Sequence, residues 1–243
     1  MTLPIDDTTT LSLLYHLNSE PWLNDAAYEL EAGHAPLLDP GERPLVPLPA
    51  ASDSALVALQ RGRRSCREFR AAELPLATLA SLLAGGQGVL EHTEHDSLRR
   101  ATPSAGGLFP LEAHLFVHDV TGLAEGLYRY DALGHALLEL DHEPVPPRLA
   151  DALFAYPLIT DANVVVVLVA RFARTQDKYG PRGYRYLLLE AGHYAQNLCL
   201  RAFELGLQTL CIGGFADGRL NALLRVEPTV AGAVYVIAAG YEA

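Results

Sequence analysis

Arg63, Arg64, Ser65 and Arg67 place three guanidinium groups and a hydroxyl within five residues, inside the run RRSCREF. The planar fork of arginine donates paired hydrogen bonds to phosphate or carboxylate oxygens, and a neighbouring serine adds a donor. The chain carries 29 acidic against 18 basic residues, a formal net charge of −11. A cationic cluster in that setting is a candidate anion site, although the same residue types suit a solvated charged turn. The run Pro103–Ser104–Ala105–Gly106, followed by Gly107, has little side-chain bulk. Backbone N–H groups of such a turn can approach a ligand closely. Asp177–Lys178–Tyr179–Gly180 sets two proton-transfer groups of high ordinary pKa side by side. They act as bases where burial or a nearby cation lowers that pKa. Cys211–Ile212–Gly213–Gly214–Phe215 runs a strand pattern into paired glycines, where a flat cofactor could rest on bare backbone with Phe215 at its edge. The plain alternatives for these three runs are a tight loop, a surface loop and a strand-to-loop turn.

Other chemistries lack their residues. There is no G-x-G-x-x-G dinucleotide fingerprint, no G-x-x-x-x-G-K-[ST] phosphate loop and no G-x-S-x-G nucleophile elbow. Cys66, Cys199 and Cys211 form no C-x-x-C pair, and His193 has no second histidine four residues away, so neither a metal site nor a disulfide framework is expected. Free thiols fit a reducing cytoplasm. The acidic balance argues against nucleic acid or a polybasic membrane patch as partner. The N-terminus MTLPIDDTTT has no apolar run and is no signal peptide. The longest apolar runs, such as Val164–Ala170, fall far short of the roughly 20 residues of a membrane-spanning helix.

Two parts are expected to position these groups. Residues 1–51 read as an arm, with a weak helical pattern at Leu11–Asn18 and five prolines from Pro36 to Pro49 that exclude a helix or central strand. The main domain, residues 52–243, begins with a helix from Ser52 to Arg63, capped by Ser52 or Asp53. A second helix, Leu76–Leu83, is closed by Gly85–Gly86. Leu115–Val120, Gln208–Ile212 and Ala233–Ala239 read as strands, and Gly126–Tyr130 with Ala136–Leu140 as a hairpin. Asn163–Ala170 suits a strand buried on both faces. Tyr184, Leu187, Leu188, Ala191, Ala195, Leu198, Ala202 and Leu205 fall at spacings of three and four, which predicts a helix over 184–205. Its apolar surface exceeds one stripe, so it is central or meets another subunit. His193, Gln196 and Asn197 on it read as structural polar groups. Strands and helices mix without a βαβ repeat, giving an α+β fold.

In this order the segments RRSCREF, LLAGGQGV, RRATPSAGGLFPLEAHLFV, GLYRYD, YRYLLLEAGHYAQNLCLRAFELGL, CIGGF and VYVIAAG resemble the nitroreductase-like flavoproteins, over Ser52 to Gly240. Within them the chain is similar to the azoline-oxidising, SagB-type dehydrogenases. SLLYHLNSEPW resembles the arm that precedes their catalytic domain, PSAGGLFPLE with GLYRYD their mid-domain motif, and DKYG their Lys-Tyr pair. The resemblance implies a mixed central sheet flanked by helices, one FMN per active site, and a homodimer with the flavin at its interface and a long central helix. Arg63, Ser65 and Arg67 would hold the FMN phosphate and ribityl chain. Pro103, Ser104 and Gly106, with Ala105 between them, would line the isoalloxazine from one side, and Ile212, Gly213 and Gly214 from the other. Gln87 would approach the site from a helix end. One departure is the ending Gly240–Tyr241–Glu242–Ala243, which lacks the cation many nitroreductases place there. Arg64, Arg99 or Arg100 would have to replace it.

The implied substrate is an azoline, thiazoline or oxazoline, on a peptide or carrier protein, with biosynthetic partner proteins. Its acidic C–H requires a base, Lys178 or Tyr179, each also able to activate the other. The alternatives are an NAD(P)H-dependent nitro- or quinone reductase, which needs no base, and a flavin-less scaffold subunit of a biosynthetic complex.

Overall fold

The strand Val164–Arg171 sorts its side chains into two cores. Val164, Val166, Leu168 and Ala170 enter one hydrophobic cluster, and Val165, Val167 and Val169 enter the other. This is the period-2 alternation of a strand covered on both faces, and it explains why the run carries almost no polar residue. The structure, a computed structural model, describes residues 11–19, 44–92 and 98–243. The helices are α1 (Leu11–Asn18), α2 (Ala55–Gly62), α3 (Leu76–Gln87), α4 (Val145–Ala152), α5 (Phe172–Tyr179), α6 (Arg182–Glu204) and α7 (Asp217–Leu223). The strands are β1 (Leu74–Pro75), β2 (Val89–His92), β3 (Leu98–Arg100), β4 (Leu111–Val117), β5 (Val120–Thr121), β6 (Gly126–Asp131), β7 (Ala136–Asp141), β8 (Val164–Arg171), β9 (Gln208–Ile212) and β10 (Ala231–Gly240).

Six strands form the main sheet in the order β7-β6-β4-β8-β10-β9, with every neighbouring pair antiparallel. Its mixed character enters at the β9 edge, where Ser65 and Thr209 form a parallel bridge. Helices α3 and α6 cover one face through Leu79, Leu82, Leu187, Tyr194 and Leu198. Helices α4 and α7 cover the other through Leu149, Ala152 and Leu220. Fully burying one such leucine contributes about 1.5–3 kcal/mol, so the sheet and α6 form the stable frame. The architecture is the α+β sandwich that the sequence predicts. Among the described residues, no helix is long and apolar enough to cross a membrane.

Several element boundaries differ from expectation. The cap of α2 is Ser54, whose hydroxyl accepts from the Val57 N–H at 3.2 Å. Helix α3 does not stop at Gly85–Gly86 but runs through them to Gln87. There the glycines serve close packing, since a Cβ at Gly86 would lie 2.2 Å from the Tyr194 ring and one at Gly85 2.5 Å from Arg201 Cγ. The strand expected at Leu115–Val120 begins earlier, at Leu111, and ends at Val117. The Asp177–Tyr179 segment is not a loop but the last turn of α5, which Gly180 ends at φ 57°.

Helix α1 lies where the sequence predicts a helical pattern and packs against α5 and α6. His16 Nδ1 and the Tyr184 hydroxyl are hydrogen-bonded at 3.0 Å. The His16 ring meets Phe172 edge-on at 4.9 Å, and Gln176 Nε2 donates to Ser12 Oγ at 2.6 Å. Residues 44–50 are exposed and irregular, and the rest of the proline-rich stretch lies outside the described residues. Burial lowers the His16 imidazole from 6.5 to about 4. The neutral ring is therefore the docked form. Docking is complete above the ordinary value of 6.5, weakens as pH falls below it, and levels off below about 4. The lost contribution is on the order of 3 kcal/mol by linkage. Hydrogen exchange over Leu11–Asn18, corrected for intrinsic rates, is expected to show strong protection at pH 7.5 and little at pH 5; equal protection at both would contradict this.

Candidate functional site

The RRSCREF segment lies along the start of β9. The Cys66 N–H donates to the Thr209 carbonyl at 2.9 Å, and Phe69 bridges Glu242 in an antiparallel pair. The Cys66 and Phe69 side chains are buried, so Arg64, Ser65 and Arg67 face outward, with Arg63 half-buried. Arg64 donates through Nε and Nη2 to both Glu242 oxygens at 2.6–3.0 Å. Its charge is thus shared with the Glu242 side-chain carboxylate. Arg99 is likewise engaged by Glu91 at 2.7 Å. Within this run Arg63 and Arg67 enter no ion pair among the described residues and are open to an anion, with the Ser65 hydroxyl between them.

At its other end β9 delivers Gly213 and Gly214, both exposed. A Cβ on Gly213 would meet nothing within 4 Å, and one on Gly214 only the Phe154 ring at 3.9 Å. This open backbone shelf stands about 13 Å along the strand from Thr209. An unpaired cationic corner and a bare glycine shelf on one strand fit a phosphate joined to a flat ring system, as FMN has. The Ile212 side chain is buried in the core, so it could touch a ligand only through its backbone.

The second group of candidate residues converges beside the first half of α6. The buried Thr102 hydroxyl donates to the Gly86 carbonyl at 2.6 Å, and Asn197 Nδ2 donates to Thr102 Oγ1 and the Ala101 carbonyl, each at 3.1 Å. These bonds pin the following turn to α3 and α6. Within that turn the Ser104 hydroxyl accepts from the Phe109 N–H at 2.8 Å. Gly106 adopts φ 64°, a conformation that favours glycine. It lies directly against the Lys-Tyr pair: a Cβ there would be 2.5 Å from Tyr179 Oη and 2.8 Å from Lys178 Nζ. The Tyr179 ring packs perpendicular to Tyr186 with centroids 5.0 Å apart, and Lys178 Nζ is 5.4 Å from the Tyr179 centroid. Pro103, Ser104, Ala105, Tyr186, Leu189, Glu190 and His193 line an adjoining cleft of about 280 Å³. Gly106→Ala is expected to displace the Lys178 and Tyr179 side chains and, on the reading of that pair as the reacting base, to lower turnover at least about tenfold, since misplacing reacting groups by about 1 Å costs that much or more. Circular dichroism should be unchanged; an unaffected kcat would show that the contact is incidental.

The two groups meet α6 at different levels, with the anchor of the serine–glycine turn reaching as far as Asn197. Glu190 stands beside the serine–glycine turn, and Cys199, nine residues on, stands beside β9. At a helical rise of 1.5 Å per residue they are about 13 Å apart along the axis.

Two features escaped the sequence analysis. Cys199 Sγ and Cys211 Sγ lie 3.5 Å apart, because the turn after α6 returns the chain alongside it. The hydrogen bond with Cys211 lowers the Cys199 thiol below its ordinary value, helped by Thr209 and the Arg63 charge. A spacing of 12 residues carries no motif, so only the fold could reveal the pair. The other feature is Glu190, 2% exposed and facing Gln87, Arg100 and Ser104. Its signal was present, as a lone carboxylate one turn from Leu187 and Tyr194 on the buried stripe.

The sequence profile of the nitroreductase family matches residues 61–241. The Methanocaldococcus jannaschii protein MJ1384, named as a nitroreductase, is 34% identical over 187 residues, covering 77% of this chain and 92% of that one. The microcin B17-processing protein McbC of Escherichia coli is 25% identical over 201 residues, covering 79% of this chain and 70% of McbC. Among solved structures, a chain of the E. coli microcin synthetase McbBCD complex with truncated pro-MccB17 bound superposes with a TM-score of 0.72 at 21% identity, covering 98% of this chain and 84% of that one.

Proposed function

Because this chain belongs to the nitroreductase family, we propose that it is an FMN-dependent dehydrogenase that oxidises an azoline ring to the azole in peptide natural-product biosynthesis. The observation that carries this is the convergence of Lys178 Nζ and Tyr179 Oη on the Gly106 backbone. A reductase that only relays electrons through a flavin needs no such pair, whereas azoline oxidation must remove an acidic C–H proton. Similarity to McbC supports the same reading.

Arg63, Ser65 and Arg67 would hold the FMN phosphate, with charge-assisted hydrogen bonds that Arg64, committed to Glu242, is less free to make. Gly213 and Gly214 would let the flat ring approach the backbone. When bound, FMN supplies the two-electron acceptor that takes the hydride. Lys178 or Tyr179 takes the ring proton, and the Gly106 turn fixes both side chains against the substrate. The exposed leucines Leu188 and Leu189, beside the cleft on α6, support a homodimer in which a second copy covers this helix. Biosynthetic partner proteins would present the substrate.

The test is incubation of the FMN-loaded protein in air, without NAD(P)H, with a thiazoline-containing peptide or thioester. Mass spectrometry is expected to show loss of two hydrogens from the substrate. The name and 34% identity of MJ1384 favour a second reading, an NAD(P)H-dependent reductase; unchanged azoline together with NADPH-driven reduction of a nitroaromatic would establish it.

A further inference from the structure

Among the described residues, six of the ten buried side-chain polar atoms that lack a hydrogen-bond partner lie together. They include both side-chain polar atoms of Gln87, Nε of Arg100, both carboxyl oxygens of Glu190 and the Tyr194 hydroxyl. Gln87 and Glu190 are each 2% exposed. These groups come from α3, β3 and α6 and meet behind the turn that carries Ser104. Glu190 also lines the cleft with Pro103, Ser104 and Ala105.

The donors around the carboxyl define what it can do. The Ser104 oxygen already accepts from the Phe109 N–H, which leaves its own proton free to point elsewhere. Gln87 offers amide hydrogens and Arg100 offers Nε–H, and the Arg100 guanidinium is fixed by stacking over Phe109 at 4.3 Å. Arg174 on α5 adds a second cation. Hydrogen-bond donors and positive charge thus approach Glu190 from four elements, and a carboxylate suits that surrounding better than a neutral acid.

We propose that Glu190 is a positioning residue: its ionised carboxylate gathers Ser104, Gln87 and Arg100 and so fixes the turn that holds Gly106 against Lys178 and Tyr179. The chemical part of this assignment rests on the azoline-dehydrogenase reading, while the structural part does not. Burial raises the Glu190 carboxyl from 4.5 to about 7, against the opposing pull of Ser104, Arg100, Gln87 and Arg174. The group is therefore neutral below about 7 and ionises above it, so the turn tightens as pH rises. Tyr194, and Tyr130 beside Arg100, are the other titratable groups packed there; burial holds both phenols above their ordinary range. His193 lines the same cleft from α6.

Two readouts test this on the full chain with FMN bound. In amide NMR spectra, the Ala105, Gly106 and Gly107 resonances are expected to shift together through about pH 7 in the wild type. The shift should vanish in Glu190→Gln, persist in His193→Gln, and move to higher pH in Ser104→Ala, which removes a stabilising donor. In azoline oxidation, the wild-type rate is expected to rise with pH through the same midpoint. Glu190→Gln should lose that limb and turn over about tenfold more slowly at pH 8, the scale of one charge-assisted hydrogen bond. Turn amides that ignore pH in the wild type, or a transition that survives in Glu190→Gln, would overturn the proposal. A wild-type rate profile in Glu190→Gln would remove its link to the reaction. If the amides titrate as expected but no azoline is oxidised, the network stands and the substrate assignment fails instead.

Discussion

On the proposed function, Lys178→Ala is expected to leave FMN bound and to lower azoline oxidation by about 10²–10⁴-fold, the range a positioned general base supplies. The side chain is exposed on the last turn of α5, so its removal leaves no core cavity and should change stability by no more than about 0.5 kcal/mol. It also stands apart from Arg63, Ser65 and Arg67, which predicts an unchanged flavin spectrum. Tyr179→Phe is the companion variant. It keeps the ring packed on Tyr186 and removes only the hydroxyl that faces Gly106. A loss in Lys178→Ala that far exceeds the loss in Tyr179→Phe assigns the base to lysine, and the reverse assigns it to tyrosine. Turnover near the wild-type rate in both variants would mean that their convergence on Gly106 has no chemical role.

The second large effect concerns the anion corner. The double variant Arg63→Ala/Arg67→Ala removes the two arginines of RRSCREF that, unlike Arg64, enter no ion pair among the described residues. Hydrogen bonds to charged groups contribute about 1.5–3 kcal/mol each, so FMN affinity is expected to fall by about 10²–10⁴-fold. Arg64→Ala should cost far less, because its guanidinium is already bidentate to Glu242 at an exposed site. Riboflavin, which lacks the phosphate, should bind wild type and double variant equally. Fluorescence titration with both flavins checks all three statements. Equal losses in Arg64→Ala and the double variant, or a parallel loss for riboflavin, would move the phosphate elsewhere.

The frame of this fold was legible because its elements carry strong periodicity. Val164–Ala170 is so uniformly apolar that only a central strand could accommodate it, and α6 repeats at three and four residues for six turns. Element ends were less legible. Gly85 and Gly86 read as a stop, yet tertiary packing against Tyr194 and Arg201 needs their missing side chains within a helix. The α5 helix was hidden because its sequence, FARTQDKY, buries only Phe172 and Thr175 and shows too little apolar repeat.

Each motif of the candidate site was visible by residue type, but which of them meet was not. Lys178 and Gly106 are 72 positions apart in sequence, and only the packing of α5 against the glycine turn joins them. Glu242 was visible by type too, whereas its consequence was not: it pairs with Arg64 and draws that cation out of the corner. Glu190 was missed for a physical reason. A helix-borne glutamate is ordinarily solvent-facing, and only the opposing face of α3 and β3 buries it.

The most direct measurement is the visible absorbance of the purified, FMN-reconstituted protein under anaerobic conditions, first with NADPH and then with a thiazoline-containing peptide or thioester. Bands that stay oxidised with NADPH and bleach with the azoline are the predicted result. Rapid bleaching by NADPH with no response to the azoline would contradict the dehydrogenase assignment in favour of a reductase, and a protein that takes up no flavin would contradict both.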